Sequence, residues 1–210
     1  MGWRTLTMTK AMLRDVRGVS AVEFALIAPV LILIYCGMAG VTSALMAARK
    51  SSHAVSTVGD LTAQVQSVSA TSSSTEPNYM PNLFQAALDT MAPYSTGTIA
   101  KPLLELRTTS IVKQASSIQV AWSCTPANQS VLTPLTVNST VSNPTVSSLL
   151  VNTGDTVIMS EGRYTFSSIV SAFLPSSMVF SNTYYFKPRQ TTAITSPGTV
   201  STQNVISCNG

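Results

Sequence analysis

Phe24-Ala-Leu-Ile-Ala-Pro-Val-Leu-Ile-Leu-Ile-Tyr-Cys-Gly-Met38 is the apolar centre of a longer stretch, residues 24–48, that carries no formal charge. As a helix rising 1.5 Å per residue, that stretch would extend roughly 37 Å, more than the ~30 Å hydrocarbon core of a bilayer. It predicts one membrane helix over residues 19–48. Arg4, Lys10, Arg14 and Arg17 precede it with a single acid, Asp15, so the positive-inside rule puts the N-terminus in the cytoplasm. Arg49 and Lys50 on the far side weaken that asymmetry without reversing it. A cleaved secretory signal would need an apolar region of only about 7–15 residues ending at a small-x-small site. The nearest such triplet, Gly37-Met38-Ala39, falls inside the apolar stretch.

Outward from this segment the charge divides sharply. Residues 1–50 hold Arg4, Lys10, Arg14, Arg17, Arg49 and Lys50 against Asp15 and Glu23, which accounts for the whole net charge of +4. Residues 51–210 are balanced, so no basic surface for nucleic acid is expected there. Only 10% of the 210 residues are charged, against about a quarter in ordinary domains, which excludes charge-driven disorder and a coiled coil.

The basic leader meets the apolar helix at Arg14-Asp-Val-Arg-Gly-Val-Ser-Ala-Val-Glu-Phe24. A carboxylate at the edge of a membrane helix is expensive, up to about 2.5–3.5 kcal/mol at the helix centre on insertion scales. Glu23 therefore invites a functional explanation. If the chain were cut after Gly18, the new amine on Val19 would be largely cationic near neutral pH. Glu23 would lie one helical turn away, or could pair with the amine of a neighbouring subunit. The competing reading makes Gly18 a chain break before a helix and Glu23 an anchor at headgroup level.

The junction resembles the type IV prepilin processing site: a short basic leader, a glycine, five residues ending in glutamate, an aromatic, then the membrane helix. The continuation Ala21-Val-Glu-Phe-Ala-Leu-Ile-Ala-Pro29 is similar to the TadE/TadG group of pseudopilins. The resemblance implies cleavage between Gly18 and Val19 by a prepilin peptidase, with Glu23 as the helix-assembly carboxylate and Phe24 and Pro29 as motif residues. It also implies partners: the membrane, other pilin or pseudopilin subunits, and the secretion machinery of a tight-adherence (Flp-type) pilus. Roles in adherence and biofilm formation follow from the resemblance alone. Gly37, Ala39, Gly40 and Ala44 offer small surfaces for helix contact, or reflect the ordinary glycine content of membrane helices.

Past the membrane, Ala54, Val58, Leu61, Val65 and Val68 recur at spacings of three and four, one apolar stripe. An amphipathic helix over residues 49–70 is expected to continue the membrane helix. A loop and a second helix around residues 82–91 should fill residues 71–92. Residues 93–210 read as β-rich, with candidate strands around Ile118–Trp122, Asp155–Phe166 and Met178–Lys187. The fold class is α+β: a long N-terminal helix, transmembrane then amphipathic, with a C-terminal antiparallel sheet. Val120-Ala-Trp-Ser123, Glu161-Gly-Arg-Tyr164 and Tyr185-Phe-Lys-Pro-Arg189 are similar to strand motifs of TadE/TadG external domains. The chain is too short for a metal-ion-dependent adhesion domain beside its sheet, which favours the short TadE type.

Cys36 lies within the membrane stretch and reads as a small apolar side chain. Cys124 and Cys208 form an even pair in an expected oxidising compartment, which favours a disulfide between them. No Cys/His cluster or phosphate-binding loop occurs, so neither metal nor cofactor is expected. His53 is the one histidine, and Ser110-Ile-Val-Lys113 matches the S-x-x-K pattern without the Lys-Thr-Gly that should accompany it. No catalytic residue is assigned. The expectation is a non-enzymatic, pseudopilin-like protein in a bacterial inner membrane, N-terminus cytoplasmic and C-terminal domain periplasmic, associated with the pilus where assembled. The alternative is an uncleaved single-pass envelope protein whose external domain binds a ligand or partner.

Overall fold

The computed structural model describes residues 19–71, 78–168, 175–202 and 205–210. Its spine is helix α1, Val19–Ala63, which runs through Pro29 without a break. At 1.5 Å per residue its 45 residues extend about 67 Å. Among the described residues, nothing covers the large apolar side chains of the lower half, which we call bare. From Ala44 onward one face is covered: Ala44, Ala47, Ser51, Ala54, Val55, Val58 and Thr62 are all buried. Their spacing of three and four residues follows one side of a 3.6-residue helix.

The covering domain starts with helix α2, Met80–Thr90, whose Pro81 fits the first turn and whose Met80, Leu83, Phe84 and Ala87 face inward. A small hairpin, β1 (Gly97–Thr98) and β2 (Lys101–Pro102), follows. The main sheet comprises β3 (Leu104–Lys113), β4 (Ile118–Pro126), β5 (Thr156–Ser167), β6 (Ser177–Phe186), β7 (Val200–Thr202) and β8 (Ile206–Asn209). All its pairings are antiparallel, in the order β6-β5-β3-β4-β8-β7. Helix α3, Pro144–Leu149, lies in the long connection between β4 and β5.

Alternation along the strands sorts the sheet into two faces. Leu104, Leu106, Trp122, Cys124, Ile158, Tyr164 and Phe166 share a core with α1 and α2. Ile111, Val157 and Met159 point the other way and pack on Val146 and Leu150 of the β4–β5 connection. The sheet is therefore sandwiched between helices on one side and a long crossing segment on the other.

Two glycines let α1 lie close to the sheet. A Cβ on Gly162 of β5 would overlap the Val55 side chain, and one on Gly59 of α1 would overlap the Phe186 ring and stand 2.9 Å from Ser160 Cβ. Ser160 Oγ uses this proximity to donate to the carbonyl of Val55 at 2.8 Å. Towards the other edge of the sheet, Cys124 and Cys208 are directly opposite on β4 and β8 and joined by a disulfide. With a sequence separation of 84, the link is worth about 4.5 kcal/mol in the chain-entropy model.

The amphipathic helix is shorter than the expected 49–70. It stops at Ala63, because the residues after it find better partners in extended conformation. The amide of Arg189 donates to the Ala63 carbonyl at 2.9 Å, Val68 donates to Thr195, and Ser69 donates to Asn78. Val68 is still buried, but on an extended segment rather than on the helix stripe. Helix α3 lies within the region expected to be β-rich after residue 93, and no helix was expected there. Its signal was present in Asn143-Pro144: Asn143 Oδ1 accepts from Thr145 N at 2.9 Å, capping a helix that begins with proline.

The crossing segment is anchored by charge. Glu105, 3% exposed on β3, accepts from the hydroxyl and amide of Ser130 and the amides of Val131 and Leu132 at 2.7–3.3 Å. Burial acts to raise its pKa, but these hydrogen bonds outweigh it and hold the carboxyl below its ordinary 4.5. Arg107 beside it bonds Glu161 at 2.7 Å and the carbonyl of Thr133 at 2.9 Å.

Two outcomes follow from this packing. Gly162→Ala should destabilise the domain by about 1–3 kcal/mol, and adding Val55→Ala should cost less than the sum of the two changes. Denaturation of the detergent-solubilised protein measures the cycle; strict additivity would deny the close approach. For Glu105 the lowered pKa means its stabilisation is complete above the unfolded-state value and lost as pH falls through the folded one. Glu105→Gln should cost about 1.5–3 kcal/mol at pH 7, and the variant's unfolding curve should depend less on pH below about 5.

Candidate assembly site

The bare half of α1 carries the residues that the sequence singles out. Gly18 lies outside the described residues; α1 begins at Val19. Glu23 is four residues on, one turn along the helix, and its side chain is exposed. Around it stand Val22, Phe24, Leu26 and Ile27, each more than half exposed, with Phe24 at 68%. Glu23 is thus a single carboxylate in an apolar collar near the positive end of a long helix dipole.

Beyond it, Val30, Leu31, Ile32, Leu33, Ile34 and Tyr35 are all at least half exposed. Such a column of large apolar side chains far exceeds the patches that water-exposed monomers tolerate. Residues from Ser20 form a helix long and apolar enough to cross a membrane, with a mean hydropathy of 2.3 over its best window. Pro29 sits in this half, where its missing amide leaves one carbonyl of the preceding turn without its helical donor. Gly37 has no other atom within 4 Å of where a Cβ would stand, and Cys36 is a free thiol. Among the described residues nothing covers the large apolar side chains of this half; its chemistry is to sit in lipid or against other apolar helices.

This apolar column, the exposed carboxylate and the sheet-bound upper half have a counterpart among known proteins. Residues 18–59 match the model of the TadE-like protein family. The TadE-like segment begins at Gly18, takes in Val19, Glu23, Phe24 and Pro29, and ends on the Gly59 that touches the sheet. Neither the curated proteins nor the solved structures contain a match to the chain. The TadE-like segment is therefore the bare helix plus most of the face that mounts the domain, and the sheet itself lies beyond it.

The strand motifs that resembled TadE/TadG external domains work as fasteners of the fold. Trp122 is buried and its Nε1 donates to the Ile194 carbonyl at 3.1 Å. Tyr164 is buried and its hydroxyl donates to the Ser95 carbonyl at 3.1 Å. Arg189 pairs with Asp60 of α1 while its amide holds the helix end. Each ties a connecting segment back onto α1 or the sheet.

The other singled-out residues are not brought together. His53 is exposed on α1, 3.4 Å from the hydroxyl of Thr57. Ser110 is buried in β3 in line with the helix-facing residues. Lys113 lies three positions on, facing the other way, and donates to the carbonyls of Leu150 and Val151. Among the described residues no group of three His, Cys, Asp or Glu side chains could hold a metal ion. What the sequence did not reveal is the set of groups that clamp α1 where it leaves its bare half. Lys50 Nζ donates to the carbonyls of Thr90 and Ala92, and the Tyr94 hydroxyl donates to the Ser43 carbonyl at 3.2 Å. Their only sequence signal is a lysine and a tyrosine forty to fifty residues apart, which no spacing rule connects.

Proposed function

We propose that this chain is a pseudopilin-like subunit for assembly of a tight-adherence pilus, acting by helix docking rather than by catalysis. The family match at residues 18–59 carries this reading. In it, the bare half of α1 is held in the bacterial inner membrane, a prepilin peptidase removes residues 1–18, and the sheet domain faces the periplasm. The Val19 amine and Glu23, of the same or neighbouring subunits, then neutralise each other where lipid would penalise both charges. Docking of the apolar column against other pilin-type helices covers the surface that is bare in the single chain. Adherence and biofilm formation are the outcomes of the assembled fibre.

Support comes from three features in one segment: a carboxylate exposed among apolar side chains, a proline tolerated inside the helix, and an apolar length sufficient for a bilayer. The sheet domain would keep this helix upright through its own mounting face, leaving the lower half free to exchange lipid for protein neighbours.

Replacing Glu23 by leucine tests the assembly role directly. The variant should insert and fold normally yet fail to co-purify with other pilin-type subunits, and sheared surface pili should drop strongly. Unchanged piliation with Glu23→Leu would support the plain single-pass envelope protein instead.

A further inference from the structure

We propose that the connection between α2 and β1, residues 91–95, is a collar that seats the sheet domain within the lipid headgroup layer. It rests on the membrane-anchored part of the reading above. The height of the bilayer along α1 follows from its composition. Glu23 is the last charge before Arg49, and a hydrocarbon core of ~30 Å takes about twenty helical residues, which places its outer boundary near Ser43. The domain reaches the helix at this level, where the hydroxyl of Tyr94 donates to the Ser43 carbonyl.

The next turn shows that lipid and protein overlap in height. Ala44 and Ala47 are buried beneath the domain, yet Leu45 and Met46, on the other side of the same turn, are 57% and 49% exposed. A domain standing off on a stalk would leave a length of polar helix between bilayer and protein. Here residues 43–48 read Ser-Ala-Leu-Met-Ala-Ala, and there is no such gap. Headgroups add about 5–7 Å on each side of the core, the rise of four or five helical residues. They therefore occupy the same height as the collar.

The collar's chemistry suits that layer. Tyr94 turns an amphipathic ring to the boundary, its hydroxyl on Ser43 and its ring edge against Phe166, centroids 6.3 Å apart. Ala92 and Pro93 are exposed at its tip. Lys50 is spent on the carbonyls of Thr90 and Ala92, which fixes the collar to the helix. Arg49, exposed one residue earlier, is left at the level of the lipid phosphates. The ligand is the anionic headgroup surface of the leaflet on the domain's side.

The test uses the full chain with Cys36→Ser and one added cysteine, Ala92→Cys, Leu31→Cys or Thr153→Cys, carrying a fluorophore. Each is reconstituted in phosphatidylcholine/phosphatidylglycerol vesicles with nitroxide lipids labelled at the headgroup or at mid-chain. Residue 92 should lose most of its fluorescence to the headgroup nitroxide, residue 31 to the mid-chain nitroxide, and residue 153 should be untouched by either. Quenching at 31 with none at 92 overturns the collar while leaving the membrane helix in place. No quenching at 31 overturns both.

Discussion

Everything above the bilayer depends on the close approach of α1 to the sheet at Val55–Gly162 and at Gly59–Phe186. Small side chains on the helix and a missing Cβ on the strand bring the two backbones near enough for Ser160 to reach the carbonyl of Val55. That contact fixes the helix against β5 and β6, and through them the orientation of the whole sheet. A larger residue at either glycine would lift the helix off the domain it carries. Packing of this kind gains dispersion contacts along the entire face while burying few polar groups without partners.

Because α1 is one continuous element, the same rod that is gripped by the sheet also presents the bare apolar column. A displacement of the lower half would be transmitted to the domain without a hinge: no glycine or proline lies between Gly40 and Gly59. The clamps from Lys50, Tyr94 and Arg189 hold successive levels of the helix, from Ser43 at the bottom to Ala63 at the top. On the other face of the sheet, the nest around Glu105 and the Arg107–Glu161 pair keep the crossing segment in place. The disulfide closes the chain's last strand onto β4.

The helix was legible because its signals are local. Twenty-five uncharged residues, a carboxylate at one edge and a three-four repeat of apolar residues are visible without knowing what they touch. Strands β5 and β6 were legible to within a residue for the same reason. The end of α1 was not. Val65 and Val68 continue the helical spacing, and only the backbone partners at Asn78, Arg189 and Thr195 make the extended form better. Helix α3 is six residues long and escapes any periodicity window, though its Asn-Pro cap was in plain sight. The collar was invisible, since it joins Ser43 and Lys50 to residues about forty to fifty positions away. Around Glu23 the residue types were readable, while what the carboxylate meets in an assembled state depends on neighbours outside the single chain.

The measurement that bears most directly on pilin-type processing is the N-terminal residue and intact mass of the protein extracted from membranes, with and without the prepilin peptidase. Processing predicts a chain starting at Val19 that appears only with the peptidase and is lost in Gly18→Arg. A chain that retains residues 1–18 in both strains would contradict it and leave a membrane-anchored protein with an unprocessed leader.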